Sequence, residues 1–211
     1  MKVTVRIILL PFLLALISAC SNKLTLEVDS EVPTPLATKL PVHVGVYYSE
    51  NFRNFLFQED SENRENWVID NRESRVSLFN DILPSMFASV NMLESIDTAD
   101  STIDLIIEPQ VMEMQVALPD ETHSENYEAW IKYVIKMYHP NGDLLAQLPI
   151  TGYGKTPTAI FKNKERGLST AINMALRDIG AKLVLDVPRS PEVRTWLHTK
   201  IDCTQYSYLC S

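Results

Sequence analysis

The sequence predicts an α+β fold, a two-layer sandwich in which two helices cover one face of a sheet of about four, mostly antiparallel strands. A hairpin is the first reason, because an alternating run at residues 127–138 and a second run at residues 144–151 flank an Asn-Gly turn. The helices are the second reason, because two segments repeat apolar residues at intervals of three and four. Two such helices and one sheet bury their apolar sides against each other, which produces two layers.

Two further strands complete the predicted sheet. Residues 42–48 alternate β-branched and aromatic side chains with others, as a strand does. Residues 103–118 form a longer strand, in which Pro109 lacks the N–H that a ladder needs, so we expect a bulge or a sheet edge there. The polar, irregular segment at residues 49–72 is predicted to be a loop.

The first predicted helix spans residues 74–90 and the second spans residues 164–187. Pro84 removes a backbone hydrogen bond within the first, so we expect that helix to be kinked or divided. Pro188 ends the second. The apolar positions that define the helices are Val76, Phe79, Leu83, Met86, Phe87 and Val90 in the first, and Leu168, Ala171, Ile172, Ala175, Leu176, Ile179 and Leu183 in the second.

The amino terminus has the features of a bacterial export signal. Lys2 and Arg6 accompany an apolar run at residues 7–17, which has the length of a signal-peptide core and about half the length of a spanning helix. The five residues that end in Cys20, Leu-Ile-Ser-Ala-Cys, resemble a lipobox, the motif at which lipoproteins are cleaved and lipidated. We therefore predict that residues 1–19 are removed and that Cys20 carries the lipid. An ordinary signal peptide with a chance cysteine is the alternative.

The lipid sets the predicted location. Several acyl chains together hold a protein stably at a membrane, whereas one chain does not. Ser21 stands where lipoproteins kept at the inner membrane carry Asp, so the sequence resembles the outer-membrane pattern, with the domain on the periplasmic face and the inner membrane as the alternative. Residues 20–41 contain Pro33, Pro35 and Pro41, which disfavour helix, and are predicted to be an extended tether before a domain at residues 42–200.

The charge balance limits the partners. The chain of 211 residues has 19 Lys and Arg against 27 Asp and Glu, a net charge of −8. Removal of Lys2 and Arg6 with the signal peptide lowers this charge to −10. Nucleic acids and anionic headgroups repel so acidic a protein. We therefore expect no nucleic-acid partner, and we expect attachment to the membrane through the lipid anchor.

The remaining cysteines, Cys203 and Cys210, are predicted to form a disulfide, because the periplasm is oxidising. The bond would close a short loop and contribute about 2.5 kcal/mol at most, so it would pin the tail at residues 201–211 without founding the fold. Their spacing matches neither a CxxC redox motif nor a zinc site.

The sequence contains no pattern typical of an enzyme. Gly154-Lys155-Thr156 resembles the end of a phosphate-binding loop, but Pro149 occupies the place of its first glycine and Pro157 prevents the helix that should follow. We predict instead a strand that ends in a glycine turn. We also predict no catalytic residue, no metal and no cofactor other than the covalent lipid. The four histidines fall on separate predicted elements and share no zinc-site spacing: His43, His123, His139 and His198.

An aromatic-rich stretch near the first strand is the predicted interaction site. Aromatic and Arg side chains are enriched where interfaces contribute most binding free energy. Packing of these aromatics onto the sheet is the other interpretation, and the sequence leaves both open. The expected partners are another envelope protein at this site and a second copy of the chain at a sheet edge. The predicted interface residues are Tyr47, Tyr48, Phe52, Phe55, Phe57 and Trp67.

The chain resembles a group of small envelope lipoproteins. The order of elements, the hairpin at residues 127–151, the helix around residues 171–178 and the short segment at residues 191–198 are similar to YajG-type lipoproteins, to LptE of the lipopolysaccharide translocon and, more distantly, to auxiliary lipoproteins of ABC transport systems. The resemblance implies a non-enzymatic accessory or scaffold protein of a cell-envelope assembly or transport machine. A carrier of lipid or glycan is the alternative, and it requires a large cavity between helices and sheet.

Overall fold

The computed structural model describes residues 24–28, 33–36, 38–59, 66–98 and 100–201. Within them the chain forms eight strands, five α-helices and one short 3₁₀ helix. The strands are β1 (Leu24–Glu27), β2 (Leu40–Tyr47), β3 (Phe57–Glu59), β4 (Trp67–Asp70), β5 (Phe87–Leu93), β6 (Leu105–Ala117), β7 (Asn126–Tyr138) and β8 (Leu144–Pro157). The helices are α1 (Glu50–Asn54), α2 (Arg72–Met86), α3 (Pro119–Thr122), α4 (Lys164–Asp186) and α5 (Pro191–Lys200).

The main sheet has five strands in the order β5-β2-β6-β7-β8. Strands β5, β2 and β6 are parallel, and β6, β7 and β8 are antiparallel. The α+β class is thus confirmed, whereas the predicted sheet of four mostly antiparallel strands is only roughly right. The observed sheet differs from the predicted one through β5, a fifth strand that follows α2 directly. Strand β5 lies parallel to β2, because a helix between two strands allows them to run in the same direction.

The first predicted helix ends earlier than its apolar pattern indicated. Helix α2 stops at Met86, and Phe87 already has the extended backbone angles of φ −122° and ψ 156°. Positions Phe87 and Val90 fit a helical spacing, but over so short a stretch they also fit a buried strand. Pro84 lies in the last turn of one continuous helix, so the predicted division is wrong and the proline precedes the helix end, whereas the predicted kink stays a prediction.

A small sheet forms from residues that were predicted to be tether and loop. Its strand order is β1-β4-β3, with β1 parallel and β3 antiparallel to β4. Leu26 and Val28 of the predicted tether lie in the core, as do Trp67 and Ile69 of the predicted loop. The hydroxyl of Ser74 at the start of α2 donates a hydrogen bond to the Val28 carbonyl. These short strands escaped prediction because their long-range partners, and not their own patterns, hold them in place.

The predicted hairpin and second helix are confirmed. Strands β7 and β8 pair along their length, and Gly142 in the turn between them has a positive φ of 87°, which glycine adopts without strain. Helix α4 is capped by Asn163, whose side chain accepts a hydrogen bond from the Arg166 N–H at 2.8 Å. One face of the sheet, the helix face, packs against α2 and α4 and forms the core.

Glycines in β8 let α4 approach the sheet closely. A Cβ atom at Gly154 would lie 2.0 Å from the Ala171 carbonyl oxygen, and one at Gly152 would lie 2.2 Å from the Ala175 carbonyl oxygen. Any side chain at either position would push the helix off the strand. The predicted glycine turn is wrong, because β8 runs straight through both residues to Pro157.

Pro109 lies where β6 has a neighbour on one side only. Strand β2 pairs with β6 through Leu105, Ile106 and Ile107 and no further, whereas β7 continues beside β6 as far as Ala117. A local edge tolerates a residue without an N–H, as predicted. A bulge follows between Val111 and Glu113.

Candidate functional site

Three of the six predicted interface aromatics belong to the core. Tyr48, Phe52 and Trp67 are 3%, 1% and 1% exposed. The Phe52 ring stacks on Tyr48 with centroids 5.2 Å apart and meets the edge of Phe79 at 5.6 Å. Their position follows from α1, a one-turn helix capped by Ser49 that turns Phe52 inward. These three residues therefore offer no exposed surface to a partner, contrary to the interface interpretation.

The other three predicted residues keep part of their surface. Phe55 and Phe57 are half-buried and pack against the core. Tyr47 is half-buried on the face of the sheet that points away from α2 and α4. Their involvement in an interface stays a prediction.

A buried arginine fixes the aromatic cluster. Arg75 of α2 is fully buried, and its guanidinium carbon lies 5.1 Å from the Phe52 ring centre and 5.5 Å from that of Phe55. It donates hydrogen bonds to the Asn71 side chain at 3.1 Å and to the Phe55 carbonyl at 3.2 Å. Burial lowers the pKa of Arg75 and raises the pKa of the neighbouring Tyr133 phenol. The cation stabilises the local fold through ring faces and carbonyls, and it is not exposed to a ligand.

A different pair of aromatics lies on the second face of the sheet, the face away from α2 and α4. Trp130 of β7 and Tyr153 of β8 are cross-strand partners, with ring centres 5.1 Å apart and ring planes at 33°. Trp130 is half-buried, and Tyr153 is 39% exposed. We call these two residues, together with the exposed Glu113, Gln115, Lys132 and Thr151, the aromatic platform.

The polar members of the platform frame a shallow cleft of about 300 Å³ beside the Trp130 ring. Glu113 stands opposite Lys132 across the β6–β7 ladder, and Gln115 stands opposite Trp130. The Gln115 amide donates to the Glu113 carboxylate at 2.5 Å, which holds both side chains over the strands. Burial, with a smaller contribution from the Glu128 carboxylate, raises the pKa of the Tyr153 phenol, so the phenol stays neutral at physiological pH.

Toward the other end of β6 the same face is closed. Ile106 and Val134 are buried there, and Glu108 is 6% exposed. The Glu108 carboxylate accepts hydrogen bonds from the Tyr138 hydroxyl at 2.8 Å and from the Gln110 amide at 2.9 Å. Burial, followed by the Glu108 contact, raises the pKa of Tyr138. Because these polar groups satisfy one another, we assign a structural role to this end of the face, whereas the platform lies in a more accessible part of it.

Two other open clefts lie elsewhere on the surface. One, of about 400 Å³, lies between α1 and β6 and is lined by Ser49, Asn51, Asn54 and Gln110 beside Phe52, Phe55 and Val111. The other, of about 590 Å³, lies between α5 and the β7–β8 turn, and its walls include Leu145, Pro191 and Trp196.

The aromatic platform was not predicted, although the alternation of residues in β7 indicates it. The alternation of β7 places Ile131, Tyr133, Ile135 and Met137 on one face and Trp130 with two lysines on the other. A tryptophan on the polar side of an amphipathic strand is the kind of residue that marks a binding surface. Its partner Tyr153 was hidden within the glycine-rich segment.

Several predicted sites lie outside the described residues. Cys20, Cys203 and Cys210 are among these, so the lipid attachment and the disulfide stay predictions. Within the described part of the chain, no group of three or more His, Cys, Asp or Glu side chains is arranged to hold a metal ion. No described helix is both long enough and apolar enough to span a bilayer.

Comparison with known proteins shows a shared fold without sequence similarity. No family model and no curated protein matches the chain. The structure of protein XCC0632 from Xanthomonas campestris, described under the family DUF330, has a TM-score of 0.52 at 11% identity and covers 76% of this chain and 92% of its own. A neuraminyllactose-binding hemagglutinin homolog from Helicobacter pylori, described as "putative", has a TM-score of 0.50 at 13% identity and covers 82% of this chain and 98% of its own.

A third structure, described as a "putative lipoprotein" from Caulobacter crescentus CB15, has a TM-score of 0.40 at 14% identity and covers 62% of this chain and 82% of its own. The structures from Xanthomonas campestris and Helicobacter pylori therefore show that the fold of this chain is found in other bacterial proteins. The finer resemblance to YajG-type lipoproteins, to LptE and to ABC-transport auxiliary lipoproteins stays a prediction.

Proposed function

We propose that this protein is a non-enzymatic accessory lipoprotein that holds one component of a cell-envelope machine through its aromatic platform. The single observation that carries the proposal is the Trp130–Tyr153 stack on the accessible face of the sheet, surrounded by Glu113, Gln115 and Lys132. Aromatic rings with a polar rim are the composition of protein interfaces that bind tightly.

The packing of the interior supports a docking protein over a carrier. The space between α4 and the sheet is filled by Ile172, Leu176, Ile179 and Leu183, each fully buried. A carrier needs room for its cargo between the layers, and ligand pockets are commonly 300–1,000 Å³ and enclose most of the ligand. The three clefts described above instead open onto the surface.

The lipid anchor would hold the domain against the membrane. Only residues 21–23 separate the predicted lipidation site, Cys20, from the start of β1 at Leu24. At about 3.5 Å per residue, this connection reaches roughly 15 Å, well short of the tens of ångströms expected for a tether of about twenty residues. A domain on so short a connection stays beside the bilayer, where it can contact membrane-bound machines. Ser21 favours the outer membrane and its periplasmic face.

Site-specific crosslinking tests the platform. A photoreactive residue at the exposed Thr151 should capture an envelope protein in cells, and the additional change Trp130→Ala should reduce that product at least about tenfold if the ring supplies a hot spot of 1.4 kcal/mol or more. The matched control places the same probe at Leu185, which is 50% exposed near the end of α4, the helix that packs on the opposite face of the sheet. Equal products from both positions, or none from position 151, would contradict the platform as a docking site.

Metabolic labelling tests the anchor. A fatty-acid probe should label the wild-type protein and leave Cys20→Ala unlabelled, because the Cys20 thiol is the proposed acceptor. Fractionation of the same cells should then find the wild type with outer membranes and the variant released from them. Equal labelling of both proteins would remove the lipid from the proposal.

A glycan ligand is the second candidate, because a stacked pair of aromatic rings flanked by amide, carboxylate and ammonium groups also suits the apolar faces and hydroxyls of a sugar. The description of one structural neighbour as a homolog of a neuraminyllactose-binding hemagglutinin is a reason to screen sialylated lactose. Binding of a glycan to the wild type, with loss of that binding in Tyr153→Ala, would favour this candidate over a protein partner.

A further inference from the structure

The two outer edges of the main sheet differ in how they are protected against pairing with another strand. Edge strands present unpaired N–H and C=O groups, and proteins commonly protect them with charge, proline, bulges or a covering element. Strand β8 forms one edge and β5 forms the other.

Helix α4 covers the β8 edge. The Asp178 carboxylate accepts a hydrogen bond from the Tyr153 backbone N–H at 3.0 Å, and the Lys182 ammonium donates one to the Thr151 carbonyl at 2.7 Å. The two side chains also form an ion pair at 2.8 Å. Helix side chains thus occupy backbone groups that would otherwise be offered to another strand. The close approach of α4 at Gly152 and Gly154 makes these contacts reachable.

The β5 edge lacks such protection in the described part of the chain. Its sequence, Phe-Ala-Ser-Val-Asn-Met-Leu, has no charged residue and no proline. Its ladder with β2 is regular from Ser89 to Leu93, so no bulge twists that stretch away. Met92 is 54% exposed, and Ala88 and Asn91 are exposed as well.

We propose that β5 pairs antiparallel with β5 of a second copy, so that two five-stranded sheets join into one. Centred on Val90, this register is self-complementary. Ser89 meets the partner copy's Asn91, which matches two hydrogen-bonding side chains, and Ala88 meets Met92, which matches a small side chain with a large one. Both pairs occur twice because a two-fold interface repeats every contact. Each matched cross-strand pair contributes to stability.

The absence of charge on β5 favours a second copy as the occupant. After loss of the signal peptide each copy carries a net charge of −10, so two copies repel each other unless their contact surface is neutral. A strand of seven residues makes a small contact, below the roughly 1,200 Å² of a stable soluble complex. Confinement of both copies to one membrane raises their effective concentration, and this step rests on the proposed lipid anchor.

Cysteine crosslinking in cells tests the register. In the paired sheet the two Val90 Cβ atoms lie about 4.5–5.5 Å apart, so Val90→Cys should form a disulfide-linked dimer of twice the chain mass under mild oxidation. Gln147→Cys, on the exposed face of β8, is the matched control and should stay monomeric, as should the wild type with its native cysteines. A Val90→Cys protein that stays monomeric overturns the proposal. So does one that crosslinks only to a different protein, which would indicate strand addition by another partner.

Complementary charges at paired positions distinguish this register from non-specific association. Met92→Lys alone should reduce a chemically crosslinked dimer, because a lysine then faces the partner copy's Ala88. The double variant Ala88→Glu with Met92→Lys should restore the dimer, since each glutamate then meets a lysine of the other copy. Thermal unfolding of both variants tests for folding defects. Folded variants in which the double change fails to restore the dimer contradict the register, whereas fatty-acid labelling reports independently on the anchor.

Discussion

Tyr133 and Trp130 are three positions apart on β7 and meet opposite surroundings. Tyr133 points to the helix face, is fully buried, and lies 5.7 Å from Phe79 and 6.2 Å from Phe52 between ring centres. Trp130 points to the second face and stacks on Tyr153 at the surface. Aromatic content alone therefore does not mark an interface. The face of the strand on which an aromatic residue lies decides whether it stabilises the core or is offered to a partner.

The largest expected effect is on the buried side of this comparison. Phe52→Ala should lower the free energy of unfolding by about 3–5 kcal/mol, because it leaves a cavity among Tyr48, Phe79 and Tyr133 and removes a ring beneath Arg75. Denaturant unfolding with a fixed m-value measures the loss. The half-buried Phe55 provides the control, since Phe55→Ala should cost less. A Phe52→Ala protein as stable as the wild type would return Phe52 to the list of interface candidates.

The second prediction compares neighbouring positions on the two faces of β8. Gly154→Ala should lower the free energy of unfolding by about 1–3 kcal/mol, because the new methyl group meets the Ala171 carbonyl of α4. Lys155→Ala, one position along on the exposed face, should change it by no more than about 0.5 kcal/mol. Thermal melts of the two variants measure the contrast. Equal melting temperatures would mean that α4 does not press on β8.

The third prediction concerns the platform itself. A double-mutant cycle of Trp130→Ala and Tyr153→Ala, measured on the free energy of unfolding, should yield a coupling free energy of about 0.5–1.5 kcal/mol. This is the range expected for an aromatic pair. Both single variants should remain folded at 37 °C and should lose the crosslink from position 151. Variants that keep the crosslink at wild-type strength would show that the exposed rings are not the docking site.

The smallest effect is expected at an exposed ion pair away from both faces. Hydrogen bonding from Arg72 lowers the pKa of the Asp70 carboxyl below its ordinary 3.8. When folding lowers the pKa of a carboxyl group, the folded state is stabilised at any pH above the pKa of the unfolded state. That stabilisation is lost as the pH falls through the pKa of the folded state. Asp70→Asn should therefore melt slightly below the wild type at pH 7, and the difference should shrink as the pH falls below 3.8 toward the folded pKa. A difference that does not shrink with falling pH would have another cause than this charge.

The predictions that held came from long, regular patterns. The hairpin of β7 and β8 and the helix α4 each bury a complete apolar face, so local periodicity and the final packing agree. Strand β5, with seven residues, was missed because Phe87 and Val90 also fit a helical spacing. The other strands that were missed are short: β1, β3 and β4 have four, three and four residues. Such strands form because distant strands pair with them, and a local pattern of that length carries little information.

The residues of the candidate site also fall into those that a local pattern can place and those that depend on tertiary contacts. The alternation in β7 was sufficient to place Trp130 on the polar face, although the prediction turned to the aromatics near Phe52 instead. Tyr153 could not be assigned to the same site, because its position opposite Trp130 depends on the pairing register of the hairpin. The buried position of Phe52 was equally out of reach, since it depends on a single turn of helix after β2.

The local pattern of the sequence is enough to assign side chains to faces. Period-two alternation separates Tyr133 from Trp130 on β7, and period-3.6 repetition assigns the core side of α4, because side-chain direction follows from local backbone geometry. The edges of the sheet depend on the tertiary structure. Folding brings Asp178 and Lys182 of α4 onto β8, whereas no strand among the described residues pairs with the outer side of β5. Whether a strand is an edge depends on which distant segment lies next to it, and at β8 that segment is α4, which approaches closely at Gly152 and Gly154.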